Sequence, residues 1–192
     1  MKPEATPLSP LSRRALLLVP FGVAAVFGAG SWLVLERPRE HPDYPPQVPS
    51  PLIGKRVPAF SLPGQPPGRG FSSADVVAGG RAILINFFAS WCMPCAQEAS
   101  VLHALKQQGV PVWGIAYKDA PAATGEFLRN GGDPYTSVAR DEAGTAGEAF
   151  GLSGVPETFG IDKSGIVRWH WAGALSEGLV HRSLEPILRS LA

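Results

Sequence analysis

The sequence predicts an α/β domain, a mixed central sheet flanked by helices, held behind an N-terminal transmembrane helix. Three observations predict it. Short apolar runs alternate with helical periodicity between residues 82 and 132. Two strand-like runs at 157–162 and 166–171 are separated by a Gly-containing turn. A 21-residue stretch, 15–35, carries no charged side chain.

Residues 1–14 hold Lys2, Arg13 and Arg14 ahead of the apolar stretch ALLLVPFGVAAVFGAGSWLVL. By the positive-inside rule this leaves the N-terminus in the cytoplasm and exports everything beyond Glu36. A cleaved signal peptide is the competing reading, with Ala29-Gly30-Ser31 as a poor cleavage site, and the length favours an uncleaved anchor over 15–35. Residues 36–51 are rich in proline, which fixes φ and removes donors, so they read as an extended spacer that lifts the domain off the membrane.

The domain proper spans 52–192. AILINFF (82–88) is the signature of a buried strand. MPCAQEASVLHALKQ (93–107) places Ala96, Ala99, Leu102 and Leu105 at helical spacing, with Gly109 as the stop. VPVWGIAY (110–117) reads as a second buried strand, and PAATGEFLRNGG (121–132) as a helix with proline near its start and glycine after its end. The strands at 157–162 and 166–171 form a hairpin around Asp162-Lys163-Ser164-Gly165. A last helix from Ser176 carries Leu179, Leu184, Ile187 and Leu188 on its apolar side, and Pro186 should kink it or delay its start.

Charge narrows the function. The whole chain has 17 Lys plus Arg against 16 Asp plus Glu, and beyond His41 it has 12 against 13. Such a balance excludes an electrostatic nucleic-acid binder and a lipid-binding basic patch, so specificity must come from shape. At 45% hydrophobic the chain is no disordered protein.

The chemistry is concentrated in WCMPC, residues 91–95, which holds both cysteines of the chain. The motif follows a strand and opens a helix. Unpaired N–H groups and the positive dipole end favour a thiolate on Cys92, and Cys95 lies one turn on, within reach to resolve a mixed disulfide. Pro94 suits a first turn, where its missing N–H has no partner. A purely structural disulfide is the bland alternative, yet it would close almost no loop. A zinc site lacks a second cysteine pair, and haem attachment would need His where Ala96 stands. A redox-active Cys92–Cys95 disulfide needs no other cofactor.

About 60 residues further on, GVPETFGID (154–162) puts a proline at a strand start. The sequence now resembles a known family. WCMPC, the following Glu98 and GVPETFGID are similar to the membrane-anchored thioredoxin-like proteins of the cytochrome c maturation (CcmG/DsbE) and TlpA group. Ala-Tyr-Lys-Asp (116–119) resembles the NYKD stretch of the cytochrome c maturation branch, and FLRNGGDPY (127–135) resembles the segment that follows it there.

The resemblance implies a thioredoxin fold with Cys92 as nucleophile, Cys95 as resolving thiol and Pro156 as a cis-proline beside the disulfide. Trp91, Met93, Pro94 and Val155 would contact substrate. It implies apocytochrome c or its thiol carrier as substrate, and a membrane thiol-disulfide electron transporter as reductant. The setting would be the bacterial inner membrane, with the catalytic domain in the periplasm. The general-base aspartate of ordinary thioredoxins would fall at Asn86, which cannot take a proton from Cys95. Glu98 and Glu157 are the acids nearest in sequence, with a solvated surface carboxylate as the alternative for each. Glu-Ala-Ser at 98–100 lacks a proline frequent in TlpA-like members. Phe-Gly-Ile at 159–161 has glycine where a bulky residue is usual.

Other residues read as ordinary packing. Trp113, Trp169 and Trp171 are core or surface aromatics, with His170 on the opposite face from the latter two. The open functional alternatives are a broader TlpA-like reductase of periplasmic thiols such as copper sites, a dithiol oxidase, and a non-catalytic docking protein in which the pair is a clasp.

Overall fold

The computed structural model describes residues 49–67 and 70–191. The expected cytoplasmic segment and anchor, and the spacer up to residue 48, lie outside them. No described helix is long and apolar enough to cross a membrane.

The first strands, β1 (Ser61–Leu62) and β2 (Phe71–Ser72), form a small antiparallel pair. Helix α1 (Ser73–Ala78) follows at once because Ser72 caps it reciprocally with Asp75. The five-stranded sheet runs in the order β5-β4-β3-β6-β7. Its strands are β3 (Ile83–Phe88), β4 (Val112–Tyr117), β5 (Ser137–Asp141), β6 (Glu157–Ile161) and β7 (Val167–Ala172). Strands β3, β4 and β5 are parallel, whereas β6 and β7 pair antiparallel. Helices α2 (Met93–Gln107) and α3 (Pro121–Gly131) join the parallel strands, and α4 (Thr145–Phe150) leads toward β6. This is the mixed sheet with flanking helices that the alternation predicts.

Central strand β3 is buried at every position, as an apolar run between two neighbours requires. The pleat divides its side chains. Ile83, Ile85 and Phe87 join Phe71, Phe150, Phe159 and Ile161 in one core. Phe88 stacks between Phe127 and Tyr135, at 5.8 and 4.7 Å between ring centroids. The turn after β6 is built by Asp162, whose carboxylate accepts the N–H of Ser164 and Ile166 and pairs with Arg168 at 2.7 Å.

Three details differ from the sequence reading. SVARD and TAGEAF form β5 and α4, although their polar residues hid them. The inner face of α2 is Cys95, Glu98, Leu102 and Leu105, while Ala96 is exposed and Ala99 half-buried. At Gly160 the backbone lies close under Trp169, whose Cβ is 3.1 Å from where a side chain would begin, and the pairing of β6 with β7 shifts register between Gly160 and Ile161. The last helix starts where expected, with Ser176 capping α5 (Glu177–Leu179), then widens into a π turn (Val180–Leu184) before α6 (Glu185–Leu191). The wide turn directly precedes Pro186, whose ring lacks an N–H and would clash with the preceding turn of a regular helix.

Gly114 leaves room for the aromatic stack: a Cβ there would sit 2.9 Å from Phe88 and Tyr135 ring atoms. Gly114→Ala should therefore cost about 1–3 kcal/mol by overpacking, read as a lowered thermal midpoint. A midpoint within about a degree of wild type would show that both rings yield freely.

Candidate active site

The CxxC pair sits where β3 hands over to α2. Cys92 is the N-cap of α2, in extended conformation at φ −91° and ψ 105°, and its sulfur accepts the Cys95 N–H at 3.2 Å. Pro94 stands in the first turn. The two cysteines are joined as a disulfide with Cα atoms 5.3 Å apart. Both are buried, whereas the flanking Trp91 and Met93 are 62% and 74% exposed. An apolar rim thus surrounds a recessed sulfur. The Trp91 indole N–H donates to the Lys118 carbonyl at 3.4 Å.

The Val155–Pro156 peptide bond is cis, with Pro156 buried and Val155 half-buried ahead of β6. The two glutamates part company across the sheet. Asn86 pairs with Thr158 and Phe87 with Glu157 in register, so these two pairs face opposite sides. Glu98 lies on the Asn86 side, 1% exposed, one turn beyond Cys95 on the same face of α2. Its Oε1 accepts Asn86 Nδ2–H at 2.9 Å and its Oε2 accepts the Leu175 N–H at 2.8 Å. Burial outweighs those two donors and pushes the Glu98 carboxyl up to about 7. Glu157 points the other way. Its carboxylate takes the N–H and O–H of Ser153 at 2.9 and 3.0 Å, and meets His170 Nε2 at 2.6 Å. His170 in turn packs on Phe159, on the opposite face of β7 from Trp169.

Sequence reasoning missed the partners that fix this site. Tyr135 donates its buried O–H to Asn86 Oδ1 at 2.8 Å, which leaves the amide NH2 to face Glu98 and Thr158. Burial, reinforced by the Glu98 charge, drives the Tyr135 phenol well above its ordinary range. Asp119 binds Ser90, two residues before Cys92. The signal for them is indirect: both residues end stretches, 116–119 and 127–135, that resemble a known family.

A cleft of about 560 Å³ runs between α2 and α3, from Ser90 and Cys95 to Tyr135 and Gly131. On the α2 side it is lined by Cys95, Ala96, Ala99 and Leu102. Among the described residues no group of three His, Cys, Asp or Glu is placed to hold a metal.

A family model described as Redoxin matches residues 52–186. The chain belongs to the Redoxin family. Within it, this redoxin is 38% identical to the thiol:disulfide interchange protein DsbE of Pseudomonas aeruginosa, over 93% of this chain and 96% of that protein. It is 34% identical to HelX of Rhodobacter capsulatus, over 93% and 98% of the two chains. DsbE of Escherichia coli is 36% identical over 91% and 94%. A crystal structure of a DsbE-type thiol:disulfide interchange protein from Chlorobium tepidum superposes with TM-score 0.59 at 26% identity, covering 76% of this chain and all of that one. The fold is thioredoxin-like, and the redoxin is a thiol-disulfide oxidoreductase with Cys92–Cys95 as its redox pair.

Proposed function

We propose that this redoxin is a periplasm-facing disulfide reductase, tethered to the inner membrane by residues 15–35, with a spacer over 36–51 and the catalytic domain over 52–192. Its substrate is apocytochrome c, or the thiol carrier that serves it, during cytochrome c maturation. A membrane thiol-disulfide transporter returns it to the dithiol form. The near full-length likeness to DsbE and HelX supports this assignment, since it extends into the N-terminal segment.

The observation that carries the chemistry is the Cys92 sulfur accepting the first-turn N–H of Cys95. In the dithiol form that donor and the helix end stabilise a Cys92 thiolate. The thiolate attacks one sulfur of the substrate disulfide, forming a mixed disulfide and expelling the first substrate thiolate. Cys95 then gives up its proton and attacks the Cys92 sulfur, so the second substrate thiolate leaves. The substrate gains two electrons, and the protein ends as the Cys92–Cys95 disulfide. Glu98, one turn below Cys95 with a carboxyl near 7, suits the proton Cys95 must give up. Trp91, Met93, Pro94, Val155 and the cis Pro156 bound the surface on which a substrate strand lies. Glu157 braces the Ser153 turn ahead of that proline.

The likeness to DsbE and HelX supports the reductive direction. The test is the equilibrium reduction potential of the domain in a dithiothreitol redox buffer. The expected value lies nearer about −270 mV than about −120 mV. A value near the oxidising end would overturn the reading.

A further inference from the structure

We infer that Asp119 is a positioning residue of the reactive site, one that fixes Trp91 beside Cys92 as a platform for a peptide partner. The inference rests on the reductase reading above and deepens it.

Asp119 is 6% exposed, so its carboxylate is held in the protein and must be satisfied there. Three donors converge on it. Ser90 gives its N–H to Oδ2 at 2.8 Å and its O–H to Oδ1 at 2.7 Å. Thr124, in the first turn of α3, gives its O–H to Oδ2 at 2.8 Å. The neighbouring Lys118 adopts φ +47°, a left-handed conformation uncommon for a residue with a side chain. In that conformation its carbonyl meets the Trp91 indole N–H. Its side chain turns away, the ammonium lying 5.1 Å from the centre of the Tyr117 ring.

The two adjacent residues of the β4–α3 loop therefore hold two adjacent residues of the loop entering Cys92. One grip is a buried carboxylate on Ser90, and the other is a backbone carbonyl on Trp91. α3 anchors the first grip through Thr124. Trp91 needs such holding because 62% of it is in water and a free indole would sample several rotamers. A ring fixed in advance spares a binding peptide that ordering cost.

The consequence is a split between substrates. A small disulfide needs only the Cys92 sulfur, whereas a peptide disulfide also uses the platform. The test is single-turnover oxidation of the reduced full-length chain, followed by tryptophan fluorescence. One oxidant is an oxidised peptide with a Cys-x-x-Cys-His disulfide, and the other is hydroxyethyl disulfide. Either oxidant takes two electrons and leaves as two thiols, while Cys92 and Cys95 close to a disulfide. Asp119→Ala should raise the half-saturating peptide concentration about tenfold, with the loss for peptide exceeding that for hydroxyethyl disulfide at least about fivefold. Ser90→Ala, which deletes one donor at the surface end of the clamp, should give a smaller loss of the same selectivity and guards against a folding defect in the first variant. Equal losses for the two oxidants, or wild-type saturation by peptide in both variants, would overturn the inference. A wild-type protein that fails to reduce the peptide at all would instead overturn the reductase reading.

Discussion

Replacing Cys95 with Ser should turn the protein into a trap that keeps its substrate as a mixed disulfide. The reason is the division of labour between the sulfurs. Cys92 caps α2 at the rim between Trp91 and Met93, and its thiolate is favoured by the Cys95 N–H, a backbone group that survives the substitution. Attack on the substrate is therefore retained. The second displacement is not, because a serine hydroxyl at position 95 is a poor nucleophile toward a disulfide and cannot close the ring of Cys92–Cys95. Multiple turnover should fall on the order of a thousandfold, and a covalent adduct should appear on non-reducing gels and vanish with dithiothreitol. Cys92→Ser should lose turnover to the same degree without any adduct. Adducts formed through residue 95 in the Cys92 variant would reverse the assignment of roles.

Much of this site could be read from the chain, and the part that could not shares one physical cause. WCMPC declared itself because strand, helix start and both cysteines coincide within a few residues. Strands β3 and β4, helices α2 and α3, and the β6–β7 hairpin were legible because each carries an apolar pattern of the right period or a turn signal. β5 was not legible. Its SVARD includes Arg140 and Asp141, which look solvated in sequence but are paired in the fold. Arg140 reaches the Gly64 carbonyl and Glu142, and Asp141 accepts the Gly147 N–H at 2.8 Å to start α4. The same holds for Glu98, which sits in the buried face of α2 while the neighbouring alanines suggest a different face. Polar groups that are buried against partners distant in sequence leave no periodic trace. Tyr135 reaches Asn86 across 49 residues, and Leu175 reaches Glu98 across 77.

The stability of the oxidised protein should fall as pH rises from about 4.5 to about 7, and Glu98→Gln should remove that dependence. Glu98 has an ordinary carboxyl value of 4.5 when unfolded and about 7 in the fold, the shift arising from burial against two opposing hydrogen bonds. The folded state thus holds this proton more tightly than the unfolded chain. Stability from the neutral form is fully present below the unfolded value and is lost as pH climbs through the folded one. A difference of that size corresponds to about 3 kcal/mol between pH 4 and pH 8. Asp75 and Asp162 act in another window. Hydrogen bonds from Ser72 hold the Asp75 carboxyl below the ordinary range, and for Asp162 the bonds from Ile166, Arg168 and Ser164 outweigh partial burial. Their contributions are present above the unfolded values and disappear only as pH falls further. Denaturant midpoints at pH 5 and pH 8 should therefore differ in the wild type by more than in Glu98→Gln, with the variant the relatively more stable at pH 8. Parallel pH profiles for the two proteins would mean that Asn86 and Leu175 solvate the carboxylate as well as water does. They would also remove Glu98 as the group that takes the proton from Cys95 near neutral pH, because an unshifted carboxyl would already be ionised and too weak a base.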